Sequence, residues 1–153
     1  MRHPHDVGTT IGSGTGQTTV NLTVNKAGKM YSWTEDSDDL VSLSTTSGVA
    51  TVIGNSGVST ATDGLAFDTR DRLWLVNEGG DIYAIDLVTG IGSATGSLGT
   101  TAHHGDFHPD SGKYWGIDAT SNPRRFVVAD IDAATVTTTI PAMNDLHVIT
   151  FKK

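Results

Sequence analysis

No cysteine occurs in the 153 residues, which rules out disulfides and thiolate metal ligands and leaves the redox compartment open. No apolar run reaches 18 residues, so a membrane-spanning helix is not expected. Basic residues are scarce: 10 Lys and Arg stand against 17 Asp and Glu, for a net charge of −7. They cluster only at Arg124 with Arg125 and Lys152 with Lys153. A nucleic-acid backbone or an anionic membrane surface needs a basic footprint that is missing here, so neither is an expected partner. The opening MRHPHDVGTT lacks the apolar core of a secretory signal. Helical periodicity is not sustained over 11 residues anywhere.

What is present is glycine, threonine, serine and short apolar runs, the composition of many brief strands joined by turns. The stretch 64–90, GLAFDTRDRLWLVNEGGDIYAIDLVTG, reads as three strands, LAFD, RLWLVN and DIYAIDL, joined by the turns TRD and NEGG. Its pattern recurs. NLTVNKAGKMYSW (21–33) aligns with GLAFDTRDRLWLV (64–76), setting Leu22 on Leu65, Met30 on Leu73 and Tyr31 on Trp74. GDFHPDSGKYWGI (105–117) aligns next, with Gly105 on Gly64 and Trp115 on Trp74. DLVSLSTTSG (39–48) and RFVVADIDAAT (125–135) repeat the third strand, and Thr- and Val-rich VATVIG, GSATGSL and VTTTI supply a fourth. A period of roughly 41–44 residues matches a four-stranded propeller blade.

The expected fold is therefore all-β, a single repeat domain over 1–153 with blades at about 21–54, 64–98 and 104–140. DVGTTIG (6–12) resembles a fourth strand without its blade, and DLHVITF (145–151) a first strand whose blade does not continue. Propellers close with about four to eight blades, so three blades are expected to be completed to six by a homodimer. A piece of a longer propeller, or three sheets stacked in another β fold, are the alternatives.

The motif GLAFD…RLWLVN…DIYAIDLVTG resembles the blade consensus of bacterial propellers of the NHL and gluconolactonase-like group, and of uncharacterised secreted propellers with L-Y-x-I-D-x-x-T-G blades. The resemblance extends over about 7–151 and implies propeller geometry, a ligand-binding end to the channel and a secreted or extracellular setting. It carries no reaction, because the fold hosts many functions. Gluconolactonase-like enzymes hold a metal with Glu, Asn and Asp from different blades; Asp63, Asn77, Glu78 and Asp118 offer those residue types without matching position by position.

The loops expected at the channel mouth hold Glu35, Asp36, Asp38, Asp39, Asp63, Glu78, Asp81 and Asp118. An acidic mouth suits a cation or a polyhydroxylated ligand, while the plainer reading is that Asp and Asn fold back onto turn backbone. EDSDD (35–39) has alternating acids but neither the glycine nor the distal Glu of a calcium loop. His104, His108 and His147 are candidate zinc ligands, with His104 and His108 expected on one strand face and His103 on the other. Trp33, at the end of its strand, is the candidate for an exposed ligand contact, whereas Tyr31, Trp74 and Trp115 read as inter-blade packing. No G-x-S-x-G elbow occurs, and the sequon at Asn21 falls in an expected inner strand. The expected function is a non-enzymatic binding or scaffold propeller that needs no cofactor. It partners itself and a small molecule or carbohydrate at the acidic face. The alternative is a metal-dependent hydrolase or lactonase using calcium or zinc.

Overall fold

The computed structural model describes residues 11–59, 64–142 and 149–151. Among the described residues, twelve strands form three four-stranded antiparallel sheets, each drawn from one continuous stretch of chain. Blade 1 holds β1 (Thr19–Val24), β2 (Met30–Thr34), β3 (Asp39–Leu43) and β4 (Ala50–Asn55) in that order. Blade 2 holds β5 (Gly64–Phe67), β6 (Leu73–Val76), β7 (Asp81–Ile85) and β8 (Gly92–Ser97). Blade 3 holds β9 (His103–Phe107), β10 (Tyr114–Asp118), β11 (Arg125–Asp130) and β12 (Thr135–Pro141). The first strands β1, β5 and β9 lie side by side, whereas the last strands β4, β8 and β12 are mostly exposed. First strands are therefore innermost and fourth strands outermost.

One device closes all nine hairpin turns within the blades. The residue at the end of each strand turns its side chain back and accepts backbone N–H groups of the turn that follows. After the first strands this is Asn25, Asp68 and His108. After the second it is Thr34, Asn77 and Asp118. After the third it is Ser44, Asp86 and Asp130. Polar side chains that hydrogen-bond two to five residues ahead make this closure local, so each turn sets its own hairpin register. Backbone N–H groups of Thr89 and Val88 hold the Asp86 carboxyl below its ordinary value.

Blades join through a repeated apolar contact. Phe67, at the end of β5, packs on Tyr31 of β2 with ring centroids 5.4 Å apart. Phe107, at the end of β9, enters one cluster with Trp74 of β6, Val76, Ile82 and Tyr114. A basic residue two positions ahead covers the aromatic ring in the first two blades: Lys29 lies 5.2 Å from Tyr31 and Arg72 4.9 Å from Trp74. At the equivalent place in blade 3, Lys113 pairs instead with Asp130 at 2.7 Å. Arg72 bridges Asp68 and Asp132, tying the first turn of blade 2 to the third turn of blade 3.

The pairing corrects the alignment of the third repeat. Phe67 faces Leu73 across a turn of five residues, but Phe107 faces Tyr114 across six. The added residue, with a bulge in β9, puts His103 opposite Ile117, where Gly64 stands opposite Val76 in blade 2. His104 and its counterpart Asn21 both adopt left-handed φ, 53° and 58°, at bulges where β9 and β1 slip against their partners. The expected strand alternation of the histidines fails at that bulge.

The described ends of the chain continue the pattern. Gly54 approaches the backbone of Thr89 and Gly90 in the next blade so closely that a Cβ has no room, and Gly12 approaches Ser47 and Gly48 in the same way. Ile11 and Gly12 thus occupy a fourth-strand place ahead of blade 1. Beyond blade 3, Ile149 N–H donates to the His104 carbonyl (3.1 Å) and Phe151 N–H to Asp106 Oδ2 (3.1 Å). Phe151 stacks edge-on near His108 (4.9 Å) and Trp115 (6.1 Å), as Phe67 does on Tyr31.

Candidate functional site

Trp33 is not an exposed contact. It is fully buried in the cluster between blades 1 and 2, with Leu40, Leu65 and Leu75. The reason is strand period: Trp33 lies two residues after Tyr31, so both face the same core, as Val76 follows Trp74 and Ile117 follows Trp115. That signal was present in the sequence.

Asn77 and Asp118 are both turn caps. Asn77 Oδ1 accepts the Asp81 N–H at 2.8 Å, and its amide reaches Asp81 Oδ2 at 3.3 Å. Asp118 is buried, and its carboxylate accepts from Thr101 Oγ1 (2.6 Å), Thr120 Oγ1 (2.6 Å), Ser121 Oγ and Arg125 (2.6 Å), besides two backbone N–H groups. Burial alone would raise its pKa, but those hydrogen bonds outweigh it and hold the carboxyl far below the usual carboxylate range. A carboxylate so fully occupied is a structural anion inside the fold. Asp63 and His147 lie outside the described residues.

The histidines separate into two roles. His108 Nδ1 faces the N–H groups of Asp110 and Ser111 at 3.3 and 3.4 Å, doing for blade 3 what Asn25 and Asp68 do for blades 1 and 2. His108→Asn is accordingly expected to keep thermal stability within about 0.5 kcal/mol, while His108→Ala loses about 1 kcal/mol, measured by denaturant melts. Among the described residues no three His, Asp or Glu side chains converge as a metal set.

His103 and His104 stack at 4.5 Å at the start of β9. His103 Nδ1 is buried with no hydrogen-bond partner among the described residues. Burial pushes the His103 imidazole below its ordinary 6.5, His104 and Arg124 push the same way, and Glu78 and Asp118 oppose them. His103 lies at the start of β9, next to the end of β10, at the second-turn end of the sheet. A buried imidazole nitrogen without a partner among the described residues can exchange a hydrogen bond with a hydroxyl-bearing ligand. The expected acidic mouth retains Glu35, Asp36 and Glu78 exposed to solvent.

Two concave regions flank the inner strands. One, of about 440 Å³, is lined by Asn21, Leu22, Leu65, His104, Asp106 and residues 149–151. The other, of about 560 Å³, lies at the first-turn end, with Val24, Phe67, Phe107 and Pro109 as apolar walls and Asn25, Asp68 and Asp71 among its polar groups. The larger one was not foreseen, because its walls come from three blades and no single repeat displays it.

With this geometry in view, comparison with solved structures defines the class. The chain is similar to the nidogen/laminin complex (TM-score 0.63, 13% identity, covering 86% of this chain and 51% of that one). It is also similar to a catalytically inactive virginiamycin B lyase from Staphylococcus aureus with quinupristin (TM-score 0.56, 14% identity, 84% and 43%) and to the Dos1 propeller (TM-score 0.56, 17% identity, 84% and 36%). These neighbours are β-propellers, and the three blades have the propeller fold. The chain spans about half or less of each neighbour's length. No family model and no curated protein matches the sequence.

Proposed function

We propose that the chain is a non-enzymatic binding or scaffold propeller. Two copies complete a six-bladed ring that holds a small molecule, a carbohydrate or a protein partner at its acidic face, in a secreted or extracellular setting. The observation that carries this reading is the apolar surface left on β1. Leu22 is 58% exposed and Val24 40% exposed, whereas Phe67 and Phe107, at Val24's place in the later blades, are buried at 1% and 3%. Apolar side chains at a repeat position built for burial favour a further blade. The metal-dependent alternative has less support, because Asn77 and Asp118 already serve the turns that follow them.

Solution mass tests the proposal. Light scattering across a concentration series is expected to show a species of twice the 16.1 kDa chain mass. A mass of one chain at every concentration overturns it.

A further inference from the structure

The blade-to-blade contact occurs twice inside the chain, and each half of it is exposed once more at an end. One half is the β1 side of blade 1, with Leu22 and Val24. The other is the face of blade 3 around Trp115, which corresponds to the faces around Tyr31 and Trp74. Short segments of the chain's own ends sit on both halves: Ile11 and Gly12 beside Ser47 and Gly48, and residues 149–151 beside β9. Phe151 occupies on Trp115 the place that Phe67 takes on Tyr31.

We infer that residues 149–151 act as a removable cap on blade 3. The surface beneath is a docking site for blade 1 of a second copy, whose Val24 competes with Phe151 for the face of Trp115. This rests on the self-association reading above and specifies its joint. The second copy is the fitting occupant because β1 carries the same strand position, in the same order of blades, as the strands that fill this contact within the chain. The cap is small. Tyr31 and Trp74 are 4% and 5% exposed beneath whole blades, while Trp115 beneath Phe151 is only half-buried. A full blade covers more apolar surface than three residues, so it displaces the cap as concentration rises.

The test is sedimentation of variants of the 153-residue chain by analytical ultracentrifugation, reading the self-association constant. Phe151→Ala weakens the cap and is expected to tighten association about tenfold. Val24→Phe, which restores the aromatic of the other blades, is expected to tighten it as well. Val24→Asp, at an exposed position that does not threaten folding, is expected to weaken it at least tenfold, alone or combined with Phe151→Ala. Weaker association in Phe151→Ala would mean that 149–151 belongs to the joint and overturns the cap. Association that ignores both positions overturns this inference and leaves self-association standing through another surface. One-chain mass in the wild type and every variant overturns both.

Discussion

Asp118→Ala is expected to lower the melting temperature by roughly 10 °C, because it leaves four side-chain donors and two backbone N–H groups facing an empty site. The Arg125 guanidinium lies 2.6 Å from the carboxylate, and its Nε is already buried without a partner among the described residues. Its side chain is 44% exposed, so water offsets part of the lost ion pair, and the unpaired buried donors set the cost at about 2–3 kcal/mol. Asp118→Asn keeps the shape and one acceptor, so it is expected to fall between wild type and alanine. The comparison has a pH signature. The folded carboxyl titrates below its ordinary value of 3.8, so the stability it contributes is fully present above that value and is lost as the pH falls below it. Urea melts at pH 7 and pH 3 are therefore expected to show a gap between wild type and Asp118→Asn that narrows in acid. A gap that is constant with pH would mean the anion contributes nothing as a charge.

The second large effect is expected at Trp33. Trp33→Ala removes one of the largest fully buried side chains, at the junction of blades 1 and 2, and is expected to cost about 3–5 kcal/mol in a denaturant melt. Trp33→Phe keeps most of the volume, and no described group accepts from the indole Nε1, so it is expected to cost less than half as much. A surface ligand contact would behave differently. Its loss would shift stability by no more than about 0.5 kcal/mol and would appear in ligand binding instead.

Much of the architecture was legible along the chain because blade formation is local. Leu65, Phe67, Leu73, Trp74, Ile82 and Ile85 fall in short apolar runs of strand length, and Asp68, Asn77 and Asp86 mark where each strand stops. A side chain that closes its own turn acts over two to five residues, so its signal survives in a one-dimensional reading. The same locality explains why the acidic residues misled. Asp118 and Asn77 look like ligands for a bound molecule when counted as a cluster, yet each is occupied by the loop that follows it.

Contacts between repeats were less legible. The single residue added between Phe107 and Tyr114 shifts β9 by one place relative to β10, and only the pairing reveals it. That shift, with the left-handed bulge at His104, decides which histidine is buried without a partner among the described residues and which closes a turn.

By itself, then, the sequence determined the strands, their turns, their grouping in fours and their repetition, since these follow from side-chain period and from hydrogen bonds a few residues long. Tertiary structure alone decided that Trp33 packs against Leu65 and Leu75 of the next blade, and that Phe151 covers Trp115. Each of those facts joins residues from different repeats, and packing between sheets depends on register and bulges that short-range patterns do not encode.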